Sequence, residues 1–254
     1  MVIHPRISVN QECSARLSFD EDVALWQDLG VDLVGVISTK LEPVGWDTEA
    51  LTQAGIRVSN IGTETRLLSD ALRFAASTKA ESVWICTGPL GSRTWEQAAE
   101  DFCREIAPAA ALAKDLGVAL AVEPTNSLRA DVSFIFTMRD TMDLARAAGI
   151  GVVLESFMCW YERGLDELVR DNVDLLTLVQ ICDYQIGTFN TPNRSVIGDG
   201  DIPLERLISM VLDAGYQGTF DLEILGPKIE AEGYASAIRR SLERAGEILD
   251  RLGA

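Results

Sequence analysis

Eight short apolar runs alternate with helical patterns along this 254-residue chain, and this alternation is the feature that most constrains its fold. The runs are rich in Val, Ile and Leu and show no polar alternation, which is typical of parallel strands buried on both faces. Their spacing is that of strand–helix units. They span residues 6–10, 31–37, 56–61, 82–87, 118–123, 150–155, 175–182 and 218–224. The pattern predicts a single (β/α)8 TIM barrel, an α/β domain that comprises residues 1–254.

The helical segments between these runs have readable boundaries. Ser18 and Glu21 have the spacing of a capping box, and Gly30 stands just after the predicted end of the same helix. The last helix, residues 231–252, has no strand after it and is predicted to complete the outer ring. An open doubly wound sheet is the alternative. No Gly-x-Gly-x-x-Gly follows the first strand, however, so a dinucleotide site has no support.

Charge and composition restrict the classes of partner. The 39 Asp and Glu residues outnumber the 22 Lys and Arg residues, which leaves a net charge of −17. Such a surface disfavours nucleic acids and anionic membranes, since both are bound through basic residues. No apolar stretch approaches the roughly 18 residues of a membrane span, the N-terminus lacks a signal-peptide pattern, and the five cysteines form no Cys-x-x-Cys pair. We therefore expect a cytoplasmic protein with reduced thiols and a small-molecule substrate, and we leave a homo-oligomer open.

Four oxygen-bearing side chains each close a predicted strand: Glu123, Glu155, Gln180 and Glu223. The carboxyl ends of the strands of a parallel barrel lie at one mouth, so we expect these side chains to converge on one point there. Three carboxylates and an amide oxygen suit one divalent cation that prefers oxygen ligands. The alternative is a polar core of hydrogen-bonded carboxylates. Without a cation, we expect mutual repulsion to raise the pKa of at least one carboxylate.

Three segments carry a resemblance to a known family: Leu120-Ala-Val-Glu-Pro124, Gly198-Asp-Gly-Asp-Ile-Pro-Leu204 and Ala214-Gly-Tyr-Gln-Gly-Thr-Phe-Asp-Leu-Glu-Ile224. Through them the chain resembles, over nearly its whole length, the xylose isomerase-like TIM-barrel superfamily, which includes sugar phosphate isomerases and epimerases. In that superfamily a Glu, an Asp, a His and a Glu from strands five to eight bind one divalent metal. The resemblance implies that Glu123 and Glu223 bind the metal and transfer protons. It places Glu155 where an Asp is usual and Gln180 where a His is common, which favours Mg²⁺ or Mn²⁺.

Five further residues are candidates for substrate contact. The resemblance implies this role for Arg194, just before the Gly-Asp-Gly loop, and it puts Met158 where a substrate-contacting His is common. Lys40 follows the second strand and is either a general acid or substrate clamp, or a solvated lysine. Asp183 either orients Gln180 or contacts substrate, or it caps its loop. Trp160 either walls an apolar pocket or packs internally.

Histidine is almost absent, which limits the chemistry. The one histidine, His4, precedes the first strand, so we expect no mechanism that needs a histidine at the mouth. The same scarcity separates the chain from endonuclease IV, a relative in which several histidines build a metal cluster. Together with the acidic charge, it excludes DNA repair.

The predicted site suits proton abstraction next to a carbonyl group. We therefore predict a metal-dependent isomerase or epimerase that acts on a small hydroxy-carbonyl substrate through an enediolate-like intermediate. Two alternatives stay open: a dehydratase of the 3-dehydroshikimate or inosose kind, and a barrel that binds a metal or small molecule without turnover. The apolar residues Met158, Trp160, Tyr161 and Phe189 suggest a substrate less polar than a simple sugar.

Overall fold

The computed structural model describes residues 2–47 and 49–254, and it contains a closed barrel of eight parallel strands in sequence order. The strands are β1 (Ile7–Asn10), β2 (Leu33–Ile37), β3 (Arg57–Thr63), β4 (Ser82–Ile85), β5 (Ala119–Val122), β6 (Gly151–Glu155), β7 (Leu176–Ile181) and β8 (Phe220–Leu222). This architecture confirms the predicted (β/α)8 TIM barrel. Seven strands lie inside their predicted runs, and β3 continues two residues further, to Thr63.

Strand register places the predicted site. The barrel closes through β1 and β8, where Ile7 stands opposite Phe220. On the neighbouring strands, Glu155 of β6 pairs in register with Gln180 of β7, and Gln180 pairs with Asp221 of β8. Residues in register on adjacent strands are neighbours across the sheet. The predicted ligands of β6 and β7 are therefore side by side.

The inside of the barrel is filled in layers. A small apolar cluster consists of Trp84, Ala121, Val153 and Leu178 from four consecutive strands. Side chains two positions apart on a strand share one face. The next layer toward the mouth therefore consists of Cys86, Glu123, Glu155 and Gln180. An apolar layer thus lies beneath a polar one, at the level where the strands end.

Helices surround the barrel, and the main apolar core fills the space between them and the strands. They are α1 (Phe19–Leu29), α2 (Ser38–Leu41), α3 (Glu49–Ala54), α4 (Leu68–Thr78), α5 (Trp95–Leu116), α6 (Met138–Ala148), α7 (Ser156–Cys159), α8 (Leu165–Asp171), α9 (Leu204–Asp213), α10 (Pro227–Glu232) and α11 (Tyr234–Leu252). In the described part of the chain, none of these helices is long and apolar enough to cross a membrane.

The boundaries of α1 follow the predicted capping, whereas those of the predicted last helix differ from the prediction. Ser18 and Glu21 form the predicted capping box, and Gly30 ends α1 with a φ of +72°. The predicted last helix is instead two helices, α10 and α11. They are separated at Gly233, whose φ of +93° lies in the left-handed region that glycine adopts easily.

Candidate active site

The four predicted ligands lie together at the mouth of the barrel. Glu155 and Gln180 are fully buried, and Glu123 and Glu223 are almost fully buried. The carboxylates are close enough to repel one another, because the charges of Glu223 and Glu155 both raise the pKa of Glu123. Strand ends alone therefore bring the predicted residues into one small, poorly solvated space.

Arg194 lies among these carboxylates. Its Nη1 donates to the backbone oxygen of Glu223 at 2.8 Å and also to the carboxylate of Glu223. Its Nη2 lies 3.4 Å from Oε2 of Glu155, and its guanidinium lies over the ring of Phe157, 5.5 Å from the centroid. Its backbone N–H donates to the oxygen of Leu225 at 2.9 Å, which ties this loop to the end of β8. Arg194 is thus an internal counter-charge for two predicted metal ligands.

This arrangement differs from the expected single centre. Among residues 2–47 and 49–254, no three Asp, Glu, His or Cys side chains are arranged closely enough to hold a metal ion. The guanidinium of Arg194 draws Glu155 and Glu223 toward itself, because buried carboxylates need a positive partner. The assignment of these residues as metal ligands therefore stays a prediction.

Two of the four side chains have buried polar atoms without a hydrogen-bond partner. Within the described residues, both amide atoms of Gln180 lack a hydrogen-bond partner, and so does Oε2 of Glu155, which has only the 3.4 Å ion pair with Arg194. The other oxygen of Glu155 accepts from the backbone N–H of Phe157 at 3.0 Å and from the thiol of Cys182 at 3.4 Å. A buried polar group without a partner costs about 1–3 kcal/mol, and most such groups in proteins are satisfied.

The donor set fits a divalent cation in chemistry and in charge. Oxygen atoms of carboxylates and amides are the ligands of Mg²⁺ and Mn²⁺. An ion held by Gln180 and Glu155 would give their buried oxygens the partners they lack within the protein. The three carboxylates and the guanidinium of Arg194 together carry two negative charges when all are ionised, which one divalent cation would neutralise.

Burial dominates the electrostatics of the carboxylates. It raises the pKa of Glu123 well above its usual value, with the charges of Glu223 and Glu155 acting in the same direction. Burial also raises the pKa of Glu155, to about 7, although the positive charge of Arg194 opposes this shift. The sequence predicted a raised carboxylate pKa from mutual repulsion; burial is the larger cause, and the charges of neighbouring carboxylates add to it. In this setting Glu123 and Glu155 are weak acids that hold a proton more readily than free glutamate does.

Lys40 and Asp183 are engaged by the protein itself. The ammonium of Lys40 lies 2.9 Å from Asp22 Oδ2 and donates to the oxygen of Ser14 at 3.0 Å. Asp183 accepts hydrogen bonds from four backbone N–H groups, those of Tyr184, Gly198, Gly200 and Ile202, at 2.8–3.1 Å. Of the roles considered for Asp183, this geometry is that of a loop cap, and Lys40 is a structural ion-pair partner.

Met158 and Trp160 lie on and just after α7, which begins directly after Glu155. Met158 is buried and Trp160 is half-buried. The ring of Trp160 packs edge-on against that of Tyr161, with centroids 5.6 Å apart. The short helix thus places an apolar side of the mouth next to Glu155, and the substrate contacts of both residues stay predictions.

Three polar residues near the site were not among the sequence candidates. Glu12 follows β1, and burial and the charge of Glu223 raise its pKa. The thiol of Cys86 lies 3.8 Å from Oε2 of Glu123. Asp221 lies beneath Glu223 and accepts hydrogen bonds from two β1 side chains. The inward alternation of β4 and β8 could have identified Cys86 and Asp221, whereas Glu12 lies on a short 3₁₀ turn that carries no such signal.

Solved structures with the same fold cover nearly the whole chain. A protein from Sinorhizobium meliloti 1021 has a TM-score of 0.83 at 21% identity, with 96% of this chain and 98% of that chain covered. A zinc-bound IolI protein has a TM-score of 0.80 at 14% identity, with 97% and 98% covered. The D-psicose 3-epimerase of Clostridium cellulolyticum H10, solved with D-tagatose, has a TM-score of 0.70 at 15% identity, with 98% of both chains covered. At these identities the likeness shows the fold alone.

Sequence comparison identifies the family. No curated protein sequence matches this chain. The sequence profile of the xylose isomerase-like TIM barrel family, however, matches residues 58–245, which include all four residues predicted to bind a metal. The chain therefore belongs to the xylose isomerase-like TIM barrel family.

Proposed function

We propose that this protein is a divalent-metal-dependent isomerase or epimerase acting on a small hydroxy-carbonyl substrate. The observation that carries the proposal is the unpartnered pair of buried oxygens, those of Gln180 and Glu155, at a mouth that also holds Glu123 and Glu223. Family membership and the likeness to an epimerase solved with a ketose and to a zinc-bound protein support it. The proposed cation is Mg²⁺ or Mn²⁺, held by Glu123, Glu155, Gln180 and Glu223.

The two proton-transferring carboxylates have different surroundings. The guanidinium of Arg194 donates to the carboxylate of Glu223 and to its backbone oxygen, and these contacts orient Glu223 to act as the base. Burial and the charges of Glu223 and Glu155 raise the pKa of Glu123, which suits it to act as the acid once it has received a proton. In this proposal Glu223 removes the carbon-bound proton, and Glu123 delivers a proton to the substrate. The bound cation would polarise the substrate carbonyl and so make the carbon-bound proton more acidic.

Arg194 and the apolar layer prepare the site for this chemistry. Arg194 holds Glu223 in one orientation, so the base needs little reorganisation when substrate binds. The layer of Trp84, Ala121, Val153 and Leu178 packs beneath the carboxylates on the side of strands β4 to β7. This packing limits the access of bulk water from below on that side.

A dehydratase is the second candidate. The same base would remove the proton, and the protonated Glu123 would donate to a departing β-hydroxyl group. The raised pKa of Glu123 favours this reading as much as it favours delivery to carbon. Product analysis separates the two, because a dehydratase releases water and an isomerase or epimerase does not.

The first test of the proposal is metal binding. A cation that binds only the folded protein stabilises it by about 2.7 kcal/mol at a hundred times its Kd. We expect a chelator to lower the melting temperature and Mn²⁺ to restore it. Unchanged melting of the demetallated protein on addition of Mn²⁺ or Mg²⁺ would remove the metal site, and the carboxylates would then be a polar core.

The second test is proton exchange. The Mn²⁺-loaded protein is incubated in D₂O with sugars, cyclitols and cyclic ketones, and deuterium at substrate carbon is measured by NMR. Both enzyme readings require incorporation, whereas a barrel that only binds its ligand gives none. Glu223→Gln should keep the fold and slow exchange by about 10²–10⁴-fold, since general-base catalysis typically contributes this much.

A further inference from the structure

Three of the five cysteines lie against the predicted ligands or the strand ends that carry them. The thiol of Cys86 lies 3.8 Å from Oε2 of Glu123. The thiol of Cys182, which is fully buried, lies 3.4 Å from Oε1 of Glu155. A thiol is a weak donor and a carboxylate oxygen is an acceptor, so both contacts are hydrogen bonds to predicted ligands.

The third thiol, that of Cys13, contacts backbone atoms instead. It donates to the oxygen of Leu222 at 3.1 Å, and its sulfur accepts from the N–H of Ile224 at 3.3 Å. These two residues flank Glu223. Among the three thiols, that of Cys182 therefore makes the closest contact with the side chain of a predicted ligand.

Strand register brings Cys182 to Glu155. Glu155 pairs with Gln180 of β7, and Cys182 follows Gln180 by two positions, so the side chains of both β7 residues are on the same face. The N–H of Cys182 donates to Oγ of Ser156 at 3.0 Å, and this hydroxyl donates to the backbone oxygen of Cys182 at 3.4 Å. Because Ser156 directly follows Glu155, these bonds fix the position of the thiol relative to the carboxylate.

The contact determines which oxygen of Glu155 is left for a ligand. Oε1 accepts from the N–H of Phe157 at 3.0 Å and from the thiol of Cys182 at 3.4 Å. Oε2 has no hydrogen-bond partner within the described residues and lies 3.4 Å from Arg194. A carboxylate that two donors hold at one oxygen presents its other oxygen in a fixed direction.

We infer that Cys182 is a positioning residue, whose thiol holds Oε1 of Glu155 so that Oε2 faces the cation of the proposed site. The role of Cys182 is to orient a ligand, and the thiol is not itself a ligand. This inference rests on the proposed function and extends it to a residue that contacts neither the cation nor the substrate. Because the role needs only a donor, a hydroxyl in the same place should fulfil it as well as a thiol does.

The affinity for Mn²⁺ tests this role without any turnover. Mn²⁺ is titrated into the chelator-treated and desalted protein, and the free ion is measured by electron paramagnetic resonance. Loss of a contact that orients a metal ligand typically weakens metal binding by about 10–100-fold. We therefore expect Cys182→Ala to weaken Mn²⁺ binding about tenfold or more, and Cys182→Ser, which keeps a donor, to bind Mn²⁺ as wild type does.

Cys159→Ala is the matched control. Cys159 is also fully buried and lies on α7, but its thiol makes no hydrogen bond with any of the four predicted ligands in the part of the chain that the structure describes. Both alanine variants lose the same atoms from the interior, so both should lose some stability. Only Cys182→Ala should also lose affinity for Mn²⁺.

Melting curves in chelator show which variants are folded. If Cys182→Ala does not fold, Cys182→Val replaces it, because valine fills the space of the thiol without a donor. A folded donor-free variant that binds Mn²⁺ as tightly as wild type would overturn the inference. So would a folded Cys182→Ser that binds as weakly as the donor-free variant, or an equal loss of affinity in Cys159→Ala. The proposed function fails by a different result, which is a wild-type protein that binds no Mn²⁺.

Discussion

Arg194 is the residue around which the charges of the site are arranged. A resemblance to family motifs predicted it as a substrate contact, whereas the structure places its guanidinium between Glu155 and Glu223. The sequence-based prediction and the structure agree that Arg194 lies at the mouth, but they differ in the group that its guanidinium contacts. The partner could not be predicted from sequence, because it depends on where the loop before Gly198 folds back against β8.

Replacement of Arg194 tests its role as a counter-charge. Removal of one partner from a buried ion pair typically costs about 3–5 kcal/mol, because a buried charge stays unpaired. We therefore expect Arg194→Met to lower the stability of the metal-free protein by about this amount, and Mn²⁺ to recover more of it than in wild type. Denaturant unfolding with and without Mn²⁺ measures both.

Arg251→Met is the matched control. Arg251 pairs with Glu205 at 2.8 Å, but both side chains are about half exposed, and such pairs contribute at most about 1 kcal/mol. If the two variants lose similar stability, or if Mn²⁺ stabilises Arg194→Met no more than wild type, Arg194 is not a counter-charge for the carboxylates.

Replacement of Gln180 is predicted to maintain or raise the stability of the metal-free protein, which is unusual for a buried residue. Its buried amide has no hydrogen-bond partner in the part of the chain that the structure describes, so Gln180→Met removes a polar group that was already unsatisfied. We expect the metal-free variant to be as stable as wild type or more stable, by up to about 1–3 kcal/mol, while stabilisation by Mn²⁺ is lost. Thermal unfolding with and without chelator measures both effects.

Gln11→Met is the control for this change. Gln11 is also fully buried, but its amide donates to Asp22 at 2.8 Å and accepts from the N–H of Ile37 at 2.8 Å. Its replacement should destabilise the protein, because the N–H of Ile37 loses its acceptor and Asp22 loses one of its donors. Equal losses in the two variants would show that Gln180 is satisfied in solution.

At the scale of elements, apolar runs and helix-capping residues predict the strands and helices that they specify directly. The strands follow from apolar runs, and α1 follows from its capping box and Gly30. The short helices α2 and α7 were not predicted, because four residues are too few to show helical periodicity. The pairing of Lys40 with Asp22 was missed for another reason, since it joins helices α1 and α2, which only the folded barrel brings together.

The loop between β7 and α9 depends on one side chain. Asp183 accepts four backbone N–H bonds from this loop, and a Cβ on Gly200 would lie only 2.2 Å from Asp183 Oδ1. We expect Asp183→Ala to lose several kcal/mol of stability, since each orphaned buried donor costs about 1–3 kcal/mol. Limited proteolysis should then cut within residues 184–203 faster than in wild type.

Asp201→Ala tests whether any acidic residue of this loop has the same effect. Asp201 is exposed and accepts one bond, from the N–H of Ile186 at 2.8 Å. Its replacement should change cleavage little. Rapid cleavage of both variants, or of neither, would show that Asp183 does not organise the loop.

At the scale of the whole molecule, a barrel gathers carboxylates that the sequence separates by up to a hundred residues. Parallel strands direct Glu123, Glu155 and Glu223 to one mouth, and Asp221 lies two residues before Glu223 on β8, in register with Gln180. The site could be located from strand ends alone. The charge balance of the site could not be predicted, because the pKa shifts of its carboxylates depend on burial and on the position of Arg194. Both become defined only when the barrel closes.

The buried carboxylates should make the metal-free protein more stable in mild acid. Burial raises the pKa of Glu155 to about 7 and that of Asp221 to about 6, from usual values of 4.5 and 3.8. For a carboxyl group with a raised folded-state pKa, the contribution to stability is complete below the unfolded pKa. It is lost as the pH rises through the folded pKa.

We therefore expect the melting temperature of the chelator-treated protein to fall as the pH rises from about 5.5 to about 8. Glu155 alone should account for roughly 2 kcal/mol of the change over this range, since the rest of its effect falls below pH 5.5. Mn²⁺ should reverse the trend, because a cation binds deprotonated carboxylates and so binds more tightly as the pH rises. Glu155→Gln, which cannot titrate, should flatten the metal-free profile. The opposite result would be a gain of stability from about pH 5.5 to about pH 8 in both the metal-free wild type and this variant. It would mean that Glu155 is ionised in the folded barrel and that Arg194 alone suffices to keep it ionised.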